Sequence, residues 1–284
     1  MTTDAPVPFP LGKLPAKPYS SDHVPVSELL KALPSGALPP IPKNFGHGLD
    51  FGLRGWKMMG NGPCDDQSIQ QGLYAYNGCG CCVWSKFAHS FMESARNAGR
   101  PIPVFTCASV LNNYASYLGV GNYTNLTAEN DAGSDMQEAL KIVQTTGFID
   151  AQGNAHKIGA TVTGTPGNVK EMWAITYLFE LGDMGVTLQQ AQMEAFPGTW
   201  DYDEASEIIG GHCVPAMGNN GLITWADRVE FTPAFVEKLC EEVYGYIDPL
   251  RYNAVTGETL EDYTDADLEK FVVLLAEQKK AEKK

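Results

Sequence analysis

The sequence carries little basic charge and lacks long apolar runs, and both features exclude classes of function. Lys and Arg number 20 against 34 Asp and Glu in 284 residues, which gives a formal net charge of −14. Such a surface repels a phosphate backbone, so we expect no nucleic-acid partner. No apolar run reaches the roughly 18 residues that a membrane helix needs, so we expect no membrane partner either.

Residues 1–20 also lack the basic start and the apolar stretch of a signal peptide. We therefore expect a cytoplasmic location, unless the protein leaves the cell as part of a virion. The seven cysteines are an odd number, and in a reducing compartment they do not form a full disulfide framework. At least some of the thiols are predicted to be free.

Composition divides the chain into an arm, a body and a tail. Residues 1–48 are proline-rich and lack periodicity, which predicts an extended arm on the body or on a partner. The arm shows no inhibitory-propeptide pattern, so activation by its removal is not predicted. In the body, residues 49–257, helical patterns precede short apolar runs, which predicts an α+β fold with two lobes. Residues 258–284 predict a C-terminal amphipathic helix that packs on the body or on another subunit.

Periodicity and capping residues predict the main elements of the body. Residues 79–98 have the spacing of a helix and are followed by Gly99. A later helix is predicted to begin with Ser134 as its cap and to end before Gly147. In residues 210–226, the turn "GNNG" between two apolar runs predicts a β-hairpin.

Three cysteines lie within four residues of the segment "YNGCGCCVW". Cys79 and Cys82 form one C-x-x-C, which is half of a structural zinc site. A second close pair of ligands is needed, and the other cysteines and histidines are scattered singly. A thioredoxin-like redox pair is expected after a strand, whereas the segment before Cys79 is polar and ends in turn residues. Both interpretations are less favoured than a nucleophile.

The same segment favours a cysteine nucleophile at a helix N-terminus. It approximates the signature C-G-[SA]-C-[WY]. Cys81 stands where the signature has a small residue, Cys82 is the nucleophile, and Trp84 follows one place later than the signature's aromatic residue. A helix N-terminus stabilises a thiolate and so lowers the pKa of the thiol. His212 follows about 130 residues later, after two glycines that let a backbone approach. Its spacing from Cys82, and the less suitable positions of the other four histidines, make His212 the predicted base. The alternative is that His212 is a buried core histidine.

These motifs resemble the papain-like cysteine peptidase fold, and more closely a group of papain-like proteins of bacteria and tailed phages. The similar stretches are residues 80–82 with His89, residues 210–214, "TW" at 224–225 and "FTPAFVEKLCEEVYGYIDP". The resemblance covers residues 50 to 255. It implies a helical lobe that carries the cysteine, a β-rich lobe that carries the histidine, and thiol chemistry that needs no metal or cofactor.

Two positions of the papain-like site are changed in this chain. The side chain that donates to the oxyanion falls near Asn77, with Asn61 as the alternative if residues 62–75 are an insertion. The asparagine that orients the histidine in papain-like enzymes is replaced by Ile223, which cannot hydrogen-bond an imidazole. Thr224 or Asn220 is predicted to take over that role.

Two functions are compatible with these motifs. The first is a papain-like cysteine hydrolase that cuts a peptide or amide bond in a peptide or protein substrate, with weakened catalysis if the histidine is poorly oriented. The second is a catalytically degraded papain-like scaffold that acts as a structural or interaction protein of a phage particle, with other virion subunits as partners. The Cys82–His212 pair favours the hydrolase, and the changed orienting position favours the scaffold.

Overall fold

The computed structural model describes residues 11–32, 79–225, 227–259, 263–264, 266–268 and 270. Its helices are α1 (Val26–Ala32), α2 (Cys82–Asn97), α3 (Cys107–Tyr117), α4 (Met136–Thr145), α5 (Val169–Leu178), α6 (Gln190–Ala195) and α7 (Pro233–Leu239). Its strands are β1 (Val24–Pro25), β2 (Phe148–Ile149), β3 (Ala155–His156), β4 (Thr161–Gly164), β5 (Leu181–Gln189), β6 (Ile208–Met217), β7 (Gly221–Thr224), β8 (Asp227–Glu230) and β9 (Cys240–Tyr246).

Seven of these strands form one sheet in the order β1-β4-β9-β5-β6-β7-β8. Neighbouring strands are antiparallel except β1 and β4, which are parallel. The edge position of β1 suits Pro25, since a proline cannot donate to a second neighbouring strand. The longest pairing joins β5 and β6, and it places His212 on β6 opposite Val186. β6 and β7 form the hairpin that the "GNNG" turn predicts.

Polar side chains cap the helices of both lobes. The capping residues are Thr106 before α3, Asp135 before α4, Asn168 before α5 and Thr232 before α7. The prediction of Ser134 as the cap of α4 is wrong by one residue, because the Asp135 carboxylate accepts from Glu138 N at 3.0 Å. Ser134 Oγ instead accepts a hydrogen bond from the indole of Trp84 at 2.9 Å.

Two apolar cores define the two lobes. The helical lobe packs α2, α3 and α4 around aromatic rings that contact one another, which are Trp84, Phe87, Phe91, Phe105 and Phe148. The β-rich lobe packs α5, α6 and α7 on the sheet, with Trp200 and Phe235 fully buried among them. α2 also packs against β6, so its N-terminus faces the sheet at the boundary between the lobes.

The described part of the arm lies on the body. Residues 11–14 cross between the lobes, β1 extends the sheet, and α1 packs on α5. At the tail, residues 266–268 are helical and Leu268 is buried in the core of the β-rich lobe. Most of the predicted C-terminal helix lies outside the described residues, so its partner surface stays a prediction. Within the described ranges, no helix is long and apolar enough to cross a membrane.

Candidate active site

Cys82 is the first residue of α2, and Cys81 occupies the cap position before it. The Cys82 side chain is buried, and its thiol is hydrogen-bonded to the backbone of Gly12 and of Cys213. Burial raises the pKa of this thiol to about 12, although the backbone hydrogen bonds act in the opposite direction. The expected lowering of the pKa is therefore wrong for this arrangement, because loss of water outweighs the helix dipole.

His212 is fixed through one ring nitrogen. Its Nε2 lies 2.7 Å from Thr224 Oγ1, within hydrogen-bond distance. Its Nδ1 is buried and has no hydrogen-bond partner among the residues that the structure describes. Burial lowers the pKa of His212 to about 3, so the imidazole is neutral near pH 7. With Nε2 engaged by Thr224, Nδ1 is the nitrogen that is left to take a proton.

Two tryptophans enclose the imidazole. Trp225 stacks on His212, with ring centroids 4.9 Å apart and an interplanar angle of 23°. Trp200 approaches the same ring at 6.5 Å between centroids. The backbone of Trp225 has φ +47°, which is uncommon for a bulky residue and costs conformational energy. The residue that stacks on His212 is thus the strained residue directly after Thr224.

Cys82 and His212 line one small cavity between α2 and the β6–β7 hairpin. Thr224, Trp225 and Lys86 line it as well. The cavity has a volume of about 10 Å³, which is close to the minimum for a single water molecule. The structure therefore brings together three of the predicted site residues, Cys82, His212 and Thr224, and all three are buried.

Asn220 lies apart from this cavity. It is in the turn between β6 and β7, where its carbonyl accepts from Phe231 N at 2.9 Å. Its side chain lines a different cavity, together with Trp173 and Phe231. Of the two residues that could orient His212, only Thr224 is hydrogen-bonded to it.

The remaining predicted residues have other positions. Cys79 and Cys81 are free, buried thiols that are hydrogen-bonded to each other. Cys107 is disulfide-bonded. Asn77 and Asn61 lie outside the described residues, so the side chain that donates to the oxyanion stays a prediction. In the described part of the chain, no group of three or more His, Cys, Asp or Glu side chains could hold a metal ion.

Lys86 is a residue of the site that sequence reasoning missed. It lies one turn after Cys82 on α2 and forms a fully buried ion pair with Asp183 on β5. Tyr246 Oη approaches the same carboxylate at 3.5 Å. Burial lowers the pKa of Lys86, an effect that Asp183 opposes. A lysine four residues after the cysteine, on the same face of the predicted helix, is the signal that could have indicated it.

Residues 11–14 of the arm lie across the site. Lys13 N donates to Gly211 O at 3.1 Å, on the strand that carries the histidine. Ser134 N donates to Gly12 O at 2.7 Å, and Leu14 N donates to Ser134 O at 3.0 Å, both on the helical lobe. The segment thus bridges the two lobes beside the cavity and places the backbone of Gly12 against the Cys82 thiol.

Glycines make this close approach possible. Gly12 packs on Gly80, where an added Cβ would lie 2.8 Å from Gly12 Cα. A Cβ on Gly211 would collide with the carbonyl of Lys13. The glycines that are expected to admit a substrate backbone therefore admit the chain's own arm. This path was not predicted; its signal is Gly12 in "PLGKLP", the single glycine of residues 1–32.

Solved cysteine proteases share this fold. Xylellain, a cysteine protease from Xylella fastidiosa, superposes with a TM-score of 0.55 at 12% identity, over 84% of this chain and 96% of that protein. ProCathepsin B S9 from Trypanosoma congolense superposes with a TM-score of 0.51 at 11% identity, over 83% and 85%. No protein-family model and no curated protein matches the chain. The predicted α+β, papain-like fold with two lobes is thereby confirmed.

Proposed function

We propose that the protein is a cysteine hydrolase that cuts peptide or amide bonds, with Cys82 as the nucleophile and His212 as the base and acid. The observation that carries the proposal is the shared cavity of these two side chains at the N-terminus of α2. The engagement of Nε2 by Thr224 supports it, because a threonine hydroxyl that accepts from Nε2–H selects the tautomer in which Nδ1 is the base.

In the first half of the reaction, Cys82 Sγ attacks the carbonyl carbon while Nδ1 of His212 takes the thiol proton. The oxygen that becomes negative accepts a hydrogen bond from the backbone N–H of Cys82, with Asn77 as the predicted second donor. The C–N bond then breaks, and His212 gives its proton to the leaving amine. The acyl group remains on Cys82 as a thioester.

In the second half, a water molecule attacks the thioester while Nδ1 of His212 takes one of its protons. The C–S bond breaks, the acid product leaves, and the proton returns to the Cys82 thiol. Atoms and protons balance, and the two steps use the same two side chains.

The closed arrangement corresponds to a resting form of this site. With the pKa of Cys82 at about 12 and that of His212 at about 3, both groups are neutral near pH 7. Transfer of the thiol proton to the imidazole would then create two charges without water. Departure of residues 11–14 admits water and substrate, which lowers the pKa of Cys82 and raises that of His212. Activity therefore requires the arm to leave the cleft.

The same closure favours a second function. A neutral pair sealed by its own chain, with threonine in the orienting position, also suits a catalytically degraded scaffold. In that case the protein would act as a structural or interaction protein of a phage particle, in line with the closer resemblance to papain-like proteins of bacteria and tailed phages. Other virion subunits would be its partners.

A chain whose arm cannot enter the cleft separates the two functions. Gly12→Val adds a side chain where the backbone of Gly80 leaves no room, so residues 11–14 must move away. We expect this variant to hydrolyse fluorescently labelled casein faster than the unaltered chain. Ala16→Val, at an exposed position of the same segment, is the matched control and should behave like the unaltered chain.

The activity of Gly12→Val should disappear when Cys82→Ser or His212→Gln is added. Alkylation of Cys82 by iodoacetamide reports whether the site has opened. If Gly12→Val is alkylated rapidly at Cys82 and yet hydrolyses neither casein nor a mixture of short peptides, the hydrolase proposal fails and the scaffold is supported.

A further inference from the structure

The side chain of Lys13 occupies a closed pocket beside the candidate active site. The side chain is 0% exposed, and its Nζ lies 2.8 Å from Glu241 Oε2 and 3.1 Å from Glu242 Oε1. Nζ also donates to Leu14 O at 3.0 Å. A buried ammonium group thus has three acceptors, two of them carboxylates from neighbouring positions of β9.

The walls of this pocket are shaped for an extended side chain. A Cβ on Gly185 of β5 would collide with Lys13 Cε, and it would lie 2.5 Å from Glu242 Cγ and 2.7 Å from Met136 Sδ. The missing side chain of Gly185 therefore provides the space through which the lysine stem passes. Met136, at the start of α4, forms the apolar wall on the helical lobe.

Both carboxylates are held in place by other hydroxyl groups. Tyr244 Oη donates to Glu242 Oε2 at 2.7 Å, and Thr187 Oγ1 donates to Glu241 Oε1 at 2.6 Å. Glu242 is buried, whereas the Glu241 side chain is 40% exposed. Both carboxylates of the pocket thus belong to the sheet, whereas the ammonium group and the third acceptor, Leu14 O, come from the arm.

The charge balance of the pocket favours a cation. Burial disfavours the charged form of Lys13, but Glu242 and Glu241 outweigh this effect, and the pKa of Lys13 is raised. Burial raises the pKa of Glu242 even with Lys13 beside it. Without a cation, Glu242 would be a buried carboxylate that lacks a counter-charge, which is strongly unfavourable.

The pocket adjoins the nucleophile through the backbone. Gly12, directly before Lys13, is hydrogen-bonded to the Cys82 thiol. The N–H of Lys13 donates to the carbonyl of Gly211, the residue before His212. A peptide that replaces residues 11–14 would therefore have a side chain at this pocket and its backbone against Cys82.

We propose that the pocket of Gly185, Met136, Glu241 and Glu242 is a specificity site that receives a lysine side chain of the peptide substrate once residues 11–14 have left the cleft. This inference rests on the proposed function, because only a hydrolase has a peptide substrate. The preference for lysine rests on the contacts of Lys13. A pocket that serves only to anchor the arm is the opposing outcome.

Binding is measured with a full-length chain that carries Gly12→Val, Lys13→Met and Cys82→Ala, which frees the pocket and prevents turnover. The probes are a fluorescent peptide of residues 11–17, "LGKLPAK", and the same peptide with methionine in place of Lys13. We expect the lysine peptide to bind at least about tenfold more tightly, as is typical when a buried charge pair is formed or lost. Adding Glu242→Gln should remove the preference, and adding Gly185→Ala should weaken the lysine peptide most.

Cleavage is measured in parallel with Cys82 intact, on fluorogenic peptides that differ only by lysine or methionine beside the bond that is cut. Binding preference for lysine without cleavage of either peptide would contradict the hydrolase and retain the pocket. Cleavage of both peptides at equal rates, with equal binding, would retain the hydrolase and overturn the pocket. Failure of both peptides to bind would also overturn the pocket.

A second measurement serves if the triple variant does not fold. The single variant Lys13→Ala vacates the pocket without adding a side chain that collides with Gly80. We expect n-propylamine to raise the thermal midpoint of Lys13→Ala but not that of the unaltered chain, while n-propanol has no such effect. An equal response of both chains to the amine would contradict the pocket.

Discussion

Two lysines are buried beside the cleft, and they are held in different ways. Lys86 is part of α2 and pairs with one carboxylate, that of Asp183, with both side chains sealed from water. Lys13 belongs to the arm and lies between two carboxylates, those of Glu241 and Glu242. Burial lowers the pKa of Lys86, whereas the two carboxylates raise the pKa of Lys13 despite burial.

The difference separates a structural ion pair from a ligand position. The charges of Lys86 and Asp183 come from a packed helix and a central strand, so neither can leave without unfolding. The carboxylates around Lys13 also belong to a central strand, but the cation comes from a segment that is held by a few backbone hydrogen bonds. A site in which one charge is fixed and the other is removable is suited to exchange its occupant.

The largest expected effect is that of Lys86→Met. This variant leaves Asp183 as a buried charge without its partner, and we expect the free energy of unfolding in urea to fall by about 3–5 kcal/mol. The double variant Lys86→Met with Asp183→Leu should recover most of the loss, since an apolar pair has no charge to desolvate. A loss below about 1 kcal/mol for the single variant would break the distinction drawn between the two lysines.

Between pH 7.5 and pH 4.5, the free energy of unfolding should change through His212 and not through Lys13 or Lys86. The folded-state pKa of His212 is lowered to about 3 from 6.5, so the unfolded chain takes up the proton first as the pH falls. The contribution of His212 to the free energy of unfolding is full above pH 6.5 and is lost as the pH falls toward 3. At pH 4.5 the loss amounts to about 3 kcal/mol.

Urea midpoints at pH 7.5 and pH 4.5 measure this loss. His212→Gln should reduce the difference between the two midpoints, and His89→Gln should reduce it similarly, because burial lowers the pKa of His89 to about 3 as well. A difference that is unchanged in His212→Gln would show that His212 is not held neutral by burial.

Lys13→Met should have a smaller effect on stability than Lys86→Met. The free energy of unfolding should fall by about 1–2 kcal/mol, because Glu241 stays solvated and the arm can move away. Alkylation of Cys82 should accelerate in the same variant, since the arm loses its anchor.

The control for Lys13→Met is Lys17→Met. Lys17 is an exposed lysine of the same arm that pairs with Asp135 and Glu138. Its loss should change neither stability nor alkylation. Equal responses of the two variants would mean that the pocket contributes nothing to holding the arm.

The smallest expected effect on stability is that of Thr224→Val, which removes the hydroxyl at Nε2 of His212 and should cost about 1 kcal/mol. The expected effect on turnover of the Gly12→Val chain is larger, because the imidazole loses its tautomer selection. Thr224→Ser keeps the hydroxyl and should retain turnover. If Thr224→Val and Thr224→Ser lose turnover equally, the hydroxyl does not orient the histidine.

The sequence indicated the residues whose roles depend on local structure. A cysteine at the start of a helical pattern and a histidine after two glycines led to Cys82 and His212, which share one cavity. The order of helical and apolar segments predicted the α+β fold. These features depend on periodicity and on turn chemistry, which neighbouring residues determine.

The contacts between distant segments could not be predicted in this way. The arm meets Gly211 and Ser134 through backbone groups, which leave no side-chain pattern in the sequence. Lys86 and Asp183 lie on different elements, and only the packed fold brings them together. The pKa of Cys82 was expected to be low from its helix position, but burial under the arm raises it.

The pH dependence of Cys82 alkylation, followed by mass spectrometry on the unaltered chain and on Gly12→Val, tests whether the arm holds Cys82 in its resting form. We expect an apparent pKa of the Cys82 thiol near 12 in the unaltered chain. In Gly12→Val we expect an apparent pKa of this thiol below the ordinary 9.0. That pKa should rise again when His212→Gln is added, because the imidazolium then no longer stabilises the thiolate. Identical profiles for the unaltered chain and Gly12→Val, or a profile of Gly12→Val that His212→Gln leaves unchanged, would contradict this expectation.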